Sequence, residues 1–217
     1  MIKYLKKITL NNLSFLIPYI VVWIATFVFA MMQSKAETHM IINAYNASWA
    51  DTFFKHFTQM GGAIPWVLAG LLLFYRYRLS LYIIATQTAT ALITYILKQI
   101  FSVPRPSILL SQLGYDFHTV EGVSLHSTLS FPSGHTASAF ALMFAISVLC
   151  KRQWQKALCL IIAILVGFSR IYLSQHFVQD VLAGSIVGIL AVTLTAYWFT
   201  EKHWTDANII TSIHNRH

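Results

Sequence analysis

The chain has 217 residues, of which 57% are hydrophobic and only 10% are charged, and its mean hydropathy is +0.62. Soluble domains average about 45–50% apolar and about 25% charged residues, so this composition excludes an ordinary soluble protein and indicates a membrane protein. The formal net charge is +8, but the basic residues stand in short groups between apolar runs and form no single basic face. We therefore expect the membrane bilayer as partner, and no nucleic acid.

Six stretches are apolar enough to cross a membrane, since a spanning helix needs about 20 mostly apolar residues. They are residues 14–33, 60–75, 79–101, 132–150, 157–173 and 181–199, of which the second is short. We predict an all-α polytopic membrane protein, with six transmembrane helices in a bundle forming one membrane-embedded domain over residues 1–217. The first stretch lacks a signal-peptide cleavage pattern at its end, so we expect an uncleaved anchor.

The first connection on one side of this bundle, residues 34–59, contains aromatic residues at four-residue spacing. They are Tyr45, Trp49, Phe53 and Phe57, which form one stripe if the segment is helical. We interpret the segment as an interfacial helix that anchors the chain at the membrane surface. The alternative is a wall that grips a lipid tail near a site.

A second long connection on the same side, residues 107–130, is polar. Long loops in compact proteins are functional or disordered, so this one could shape the binding site for a substrate headgroup. In the last apolar stretch, Gly184 and Gly188 form a G-x-x-x-G pattern that permits close helix packing. We expect packing inside the bundle, and a homodimer through the last span is the alternative.

The distribution of Lys and Arg predicts the orientation. The N-terminus, two connectors and the tail hold most basic residues, namely Lys3, Lys6, Lys7, Arg76, Arg78, Lys151, Arg152, Lys156, Lys202 and Arg216. By the positive-inside rule this side is cytoplasmic, so both termini are cytoplasmic and the two long connections face outward. We predict a multi-pass membrane protein whose outer side carries these two connections.

A further group of charged, histidine and small residues, within or beside the apolar stretches, falls at this outer side. They are Lys98 and Arg105 at the third stretch, Ser133, Gly134 and His135 at the start of the fourth, Arg170 in the fifth, and His176 and Asp180 before the sixth. Ionisable groups at membrane depth are costly and mark function. Each alone has a structural explanation, such as helix capping by Asp180, but their coincidence at one face favours a functional site.

Phosphoryl transfer is the chemistry that these residue types suit. Lys98, Arg105 and Arg170 offer three positive charges for a phosphate dianion and for the charge on its oxygens in the transition state. Ser133 and Gly134 fit a helix N-terminus, where a hydroxyl and close-lying backbone N–H groups can cradle an anion.

The two histidines supply a nucleophile and an acid–base group. Asp180 lies four residues after His176, so on a helical turn it can orient that ring, which assigns His176 as nucleophile and His135 as acid and base. A metal triad of His135, His176 and Asp180 is the competitor. Three nearby cations would repel a divalent ion, so we expect no metal and no cofactor.

Three motifs together resemble the signature of the type 2 phosphatidic acid phosphatase superfamily. They are Lys98 and Arg105-Pro106 with six residues between, Pro132-Ser133-Gly134-His135, and Ser169-Arg170, His176 and Asp180 with gaps of five and three residues. The resemblance covers the chain from the third stretch to the sixth. It implies a six-helix lipid phosphatase in which Lys98, Arg105, Ser133, Gly134 and Arg170 bind phosphate, His135 serves the leaving group, and His176 with Asp180 forms the nucleophilic pair.

The resemblance also implies the substrate class, which is a lipid phosphomonoester or diphosphate cleaved through a phosphohistidine. Bacterial members of the superfamily act on undecaprenyl diphosphate, phosphatidylglycerophosphate, phosphatidic acid or lipid A phosphates. The resemblance to these members implies a bacterial inner membrane, with the site facing the periplasm or cell exterior. Two other classes remain as alternatives. One is a lipid or anion transporter, and the other is a non-catalytic lipid-binding membrane protein.

Overall fold

The structure is a computed structural model and describes residues 2–201. The elements in chain order are α1 (Ile2–Asn11), α2 (Leu13–Met31), α3 (Lys35–Asn43), α4 (Ser48–Phe57), the 3₁₀ helix η1 (Thr58–Gly61), α5 (Ile64–Tyr75), α6 (Tyr77–Phe101), α7 (Pro106–Gln112), α8 (Gly134–Leu149), α9 (Gln153–Tyr172) and α10 (Val178–Glu201). The predicted all-α class is confirmed. Two basic residues of the charge count, Lys202 and Arg216, lie outside the described residues.

Four helical segments between residues 2 and 201 are long and apolar enough to cross a membrane. They are Leu13–Met31, Tyr77–Gln112, Gln153–Tyr172 and Val178–Phe199. A fifth span forms if Ser48–Gly61 and Ile64–Tyr75, which bend by 50° at their junction, count as one. The fourth predicted span is α8, which has only 16 residues. The described chain is therefore a polytopic helical protein with four or five candidate spans and one shorter apolar helix, and six spans stay a prediction.

The short helix α8 is the centre of the bundle. Most of its side chains are buried, because α6, α9 and α10 pack around it. Close approach of α10 depends on the G-x-x-x-G pattern: a Cβ added at Gly184 would lie 2.5 Å from the carbonyl oxygen of Ser133, and one at Gly188 would lie 2.9 Å from the nitrogen of Ala141. The pattern thus packs inside the chain, as predicted, and its face is covered by α8.

The predicted interfacial helix is two helices, α3 and α4, with a break at residues 44–47. The break interrupts the aromatic stripe at Tyr45, while the other three stripe residues lie on α4. Tyr45 and Trp49 are 81% and 73% exposed, and the rings of Phe53 and Phe57 stack on each other. The opposite face of α4 is buried. An exposed stripe favours the membrane anchor over a wall beside the site.

Hydrogen bonds join the two long connections. Asp51 on α4 accepts a bond from the Tyr172 hydroxyl at 2.6 Å and lies 3.0 Å from His118 Nε2. Asn43 on α3 donates to the carbonyl of His118 at 2.9 Å and accepts from its N–H at 2.8 Å. These contacts fix the connection between α7 and α8 over the end of α9, where the site lies.

Candidate active site

The three motifs meet at one end of the bundle. Lys98 and Arg170 lie in the last turns of α6 and α9, Arg105 precedes α7, Ser133, Gly134 and His135 begin α8, and His176 and Asp180 lie where α9 passes into α10. His135 lies close enough to Arg170, His176, Arg105 and Lys98 for the charge of each to act on its ring. All the residues predicted for the site are therefore brought together.

His176 and Asp180 form a buried pair. Both residues are 2% exposed or less, and His176 Nδ1 lies 3.4 Å from Asp180 Oδ2, a distance at the long end for a hydrogen bond. Because Nδ1 faces the carboxylate, Nε2 is the ring nitrogen left for reaction. Burial lowers the pKa of His176 to about 3, against the opposing effect of Asp180, so the imidazole is neutral at neutral pH.

Asp180 is itself held by two donors. Its Oδ2 accepts a bond from Ser130 Oγ at 2.5 Å and from the Phe177 N–H at 2.9 Å. Ser130 Oγ also lies 3.4 Å from His176 Nδ1, so one hydroxyl contacts both members of the pair. Ser130 was not predicted. A neutral serine ahead of an apolar stretch carries no sequence signal that its side chain turns toward a carboxylate 50 residues later.

The turn between α9 and α10 is built around the carbonyl oxygen of Arg170. The N–H groups of Gln175 and His176 both donate to it, at 3.0 and 3.1 Å. Ser174 allows this turn by taking a positive φ of 53°. The five-residue gap between Arg170 and His176 thus corresponds to one tight turn, which holds His176 beside Arg170.

Arg170 is buried with part of its guanidinium unpaired. It is 6% exposed, and its Nη1 donates to Thr58 Oγ1 at 2.8 Å. Its Nε makes no hydrogen bond to any residue that the structure describes. Buried donors are nearly always paired in native proteins, so this nitrogen suits an anion oxygen.

Arg105 and Lys98 both bind backbone carbonyls just ahead of α8. Arg105 Nε donates to Thr128 O at 2.9 Å, and Lys98 Nζ donates to the adjacent carbonyl of Leu129. Arg105 Nη1 also donates to the carbonyl of Gln175 at 3.1 Å. The last of these bonds holds Arg105 beside the residue that precedes His176. Gln175 was not predicted; both its carbonyl oxygen and its side-chain oxygen accept from Arg105 Nη1.

The start of α8 offers free N–H groups. Ser133 Oγ accepts bonds from the hydroxyl and the N–H of Thr136, at 2.9 and 3.4 Å, so it caps the helix and keeps its own hydroxyl proton available. Within residues 2–201 the N–H groups of Gly134 and His135 have no acceptor. The N-terminus of a helix with unpaired N–H groups is a binding site for phosphate.

His135 borders a cavity of about 350 Å³ between α5, α6 and α8. The cavity is lined by Gly61, Gly62, Trp66, Gln87, Thr90, Ala91, Thr94, Tyr95, Lys98, Gly134, His135 and Ser138. Gln87 and Lys98 are 11 positions apart on α6, so the cavity follows this helix for roughly 16 Å away from the cations. Its lining becomes uncharged beyond Lys98, which suits a group less polar than phosphate.

The competing metal triad does not form among the described residues. No group of three or more His, Cys, Asp and Glu side chains there is placed to hold a metal ion.

Comparisons with known proteins agree on one family. The model of the PAP2 superfamily matches residues 76–204. Over 79 residues the chain is 38% identical to the lipid A 1-phosphatase of Porphyromonas gingivalis, covering 36% of this chain and 18% of that protein. Over 111 residues it is 32% identical to the undecaprenyl-diphosphatase BcrC of Bacillus subtilis, covering 51% and 52%. The matched segments thus span about half or less of these relatives' lengths.

Two solved structures share the fold. The crystal structure of Aquifex aeolicus LpxE is 30% identical with a TM-score of 0.64, covering 74% of this chain and 93% of that one. A PAP2-type phosphatidylglycerolphosphate phosphatase from Bacillus subtilis is 24% identical with a TM-score of 0.63, covering 90% and 98%. At that identity the second likeness supports the fold alone.

Proposed function

The chain belongs to the PAP2 superfamily, a class of metal-independent phosphatases, and from this premise we propose that it hydrolyses a lipid phosphomonoester or diphosphate through a phosphohistidine. The observation that carries the proposal is the convergence of two histidines, a buried carboxylate and three cationic side chains at the N-terminus of α8. A nucleophile, a proton donor and a positively charged cradle are the groups that phosphoryl transfer needs.

In the binding step the phosphate lies between the start of α8 and the end of α9. Its oxygens accept bonds from Arg170 Nε, from the N–H groups of Gly134 and His135, and from Lys98 and Arg105. Three positive charges then face a dianion, and they also stabilise the charge that spreads over the equatorial oxygens in the transition state.

In the first chemical step His176 Nε2 attacks phosphorus and the bond to the leaving oxygen breaks. The phosphate dianion favours the protonated form of the neighbouring His135, which gives its proton to the leaving oxygen. The phosphorylated ring of His176 carries a positive charge, which Asp180 stabilises through Nδ1–H.

In the second step His135, now neutral, takes a proton from water as the water oxygen attacks phosphorus. The bond between phosphorus and Nε2 breaks, and inorganic phosphate leaves. His176 returns to the neutral form that its burial favours. Both half-reactions balance without a metal or cofactor.

The cavity beside His135 supports a lipid as the leaving group. A leaving oxygen that receives a proton from His135 must lie at the mouth of this cavity, so the rest of the leaving group extends along α6. The similarities to a lipid A phosphatase and an undecaprenyl-diphosphatase support lipid A phosphates and isoprenoid diphosphates as candidates, beside phosphatidylglycerophosphate and phosphatidic acid.

We further propose that the site faces the periplasm or cell exterior of a bacterium, because the cytoplasmic side is expected to carry most of the loop Lys and Arg residues. Six spans are compatible with this orientation if α5 and α8 both cross as short helices. A homodimer through the last span would need a face of α10 other than its glycine face, which α8 covers.

The test is phosphate release by the purified protein in detergent, over a panel of lipid A, isoprenoid diphosphates and glycerophospholipids. We expect release from at least one lipid, unchanged in EDTA, inhibited by vanadate and absent in His176→Ala. Lipid transport into vesicles without phosphate release would support the transporter instead. Lipid binding with neither activity would support the non-catalytic protein.

A further inference from the structure

We propose that Thr58 is a positioning residue that aims the guanidinium of Arg170 at the phosphate. This inference rests on the proposed function and adds a fourth element, η1 (Thr58–Gly61), to a site otherwise built from three motifs. The matched family region starts at residue 76, so this element lies ahead of it. In the sequence, residues 58–61 fall at the end of the first long connection and at the start of the second apolar stretch.

The geometry at Arg170 requires an orienting partner. Thr58 is 5% exposed, and its Oγ1 accepts the one hydrogen bond that the Arg170 guanidinium makes within the described part of the chain. A guanidinium is planar and rigid, so fixing Nη1 limits the directions in which the other nitrogens can point. Fixing Nη1 therefore also fixes Nε, which is buried and unpaired among the described residues.

A hydroxyl is well suited to this task because it is neutral. A carboxylate in the same place would form an ion pair with Arg170 and cancel much of the charge available to phosphate. Thr58 orients the side chain and leaves its full positive charge. The structure describes no carboxylate that bonds to the Arg170 side chain.

The same segment also contacts His135, from a different motif. A Cβ added at Gly61 would overlap the backbone carbonyl of His135, and one added at Gly62 would lie 3.1 Å from its Nε2. One short stretch of chain therefore touches both the cation on α9 and the acid–base group on α8. This stretch therefore fixes the distance between Arg170 and His135, and a phosphate that binds between them must fit that distance.

The experiment compares Thr58→Val, which removes the hydroxyl at nearly constant volume, with Thr58→Ser, which keeps it. We measure kcat/KM on an activated aryl phosphate and the rise in melting temperature that orthovanadate produces. Removing a hydrogen bond to a charged group weakens an interaction by about 10- to 100-fold. We therefore expect Thr58→Val to lower both kcat/KM and the affinity for vanadate by about this factor. Thr58→Ser should stay within about threefold of wild type.

The matched control is Thr52→Val, six residues earlier, where an exposed hydroxyl bonds only to the carbonyl of Ser48 in its own helix. It should leave both readouts unchanged. Wild-type values in Thr58→Val, or an equal loss in Thr58→Ser and Thr58→Val, would overturn the proposal.

A double-mutant cycle with Arg170→Gln separates positioning from general damage. If Thr58 acts through Arg170, Thr58→Val should cause no further loss of vanadate affinity in the Arg170→Gln background. If the losses of vanadate affinity in the two single variants add in full in the double variant, Thr58 does not act through Arg170. If wild type binds vanadate but hydrolyses no phosphate ester, the proposed function fails, and the vanadate cycle still decides the role of Thr58.

Discussion

Ser130 donates a hydrogen bond of 2.5 Å to Asp180, 50 residues away, and so reaches the same carboxylate oxygen that faces the ring of His176. We predict that Ser130→Ala lowers kcat about tenfold, because Asp180 loses one of its two fixed donors and orients the ring less well. Phosphate release under saturating substrate measures this. The control is Ser185→Ala, at a buried serine outside the site that bonds to the carbonyl of Leu182 and to the hydroxyl of Tyr19. Equal losses in both variants would contradict a specific role for Ser130.

Replacing His135 and replacing His176 should block different steps of the reaction. An activated aryl phosphate has a leaving group that needs little protonation, so His135→Ala should still phosphorylate itself and then stall for lack of a base. His176→Ala should form no phosphoenzyme, and Asp180→Asn should form it slowly. Alkaline quenching of labelled enzyme measures the intermediate, since phosphohistidine is acid-labile. Label on His176→Ala but not on His135→Ala would mean that the roles are exchanged.

Two glycines only nine residues apart should respond oppositely to alanine. At Gly61 the new methyl group overlaps the backbone of His135, and we expect a loss of about 1–3 kcal/mol in unfolding free energy together with most of the activity. At Gly70, inside α5, it meets nothing within 4 Å, and alanine should stabilise the helix by up to about 1 kcal/mol. The melting temperature of each variant in detergent measures the direction of both changes. Similar melting shifts would contradict the contact at Gly61.

Acid should destabilise the fold through His39 on α3. This residue is 1% exposed, its Nε2 lies 3.2 Å from Ser174 Oγ, and burial lowers its pKa to about 4. Below pH 6.5 His39 binds a proton in the unfolded chain, whereas in the folded chain it stays neutral until the pH nears 4. The free energy of unfolding therefore falls as the pH drops from 6.5 toward 4, by up to about 3 kcal/mol. His39→Gln should show a shallower decline, and the slope that remains includes His176. Parallel profiles for the two proteins would contradict this assignment.

The orientation can be checked in intact cells. A cysteine placed in residues 107–130 should react with a membrane-impermeant thiol reagent, because this connection is predicted to face outward. The native Cys150 and Cys159, which are free thiols, should not react. Labelling of the native cysteines alone would reverse the topology, and with it the side on which phosphate is released.

The part of the site that could be predicted consists of residues that are costly at membrane depth. Lys98, His135, Arg170 and Asp180 have no inexpensive place in an apolar stretch, so their presence at one side already indicated a shared pocket. Ser130, Thr58 and Gln175 could not be predicted. They are neutral residues whose roles depend on which way a side chain or a carbonyl points after the helices have packed.

The number of spans was harder to predict for a related reason. The apolar run at residues 132–150 is longer than the helix within it, because Ser133 acts as the N-cap and the helix ends at Leu149. Apolar composition alone does not reveal a cap inside the run. The aromatic spacing likewise gives no sign of a break: four-residue spacing fits a continuous helix, but the chain breaks at residues 44–47, and only Trp49, Phe53 and Phe57 share a helix.

The shortness of α8 has a consequence for the depth of the site in a bilayer. Sixteen residues give a length of about 24 Å, whereas the hydrocarbon core of a bilayer is about 30 Å thick. If the far end of α8 lies at one edge of that core, Ser133 and His135 lie roughly 6 Å beneath the other edge. Under the proposed function, a lipid headgroup must then descend below its neighbours to react, which ties turnover to local membrane thickness as well as to affinity.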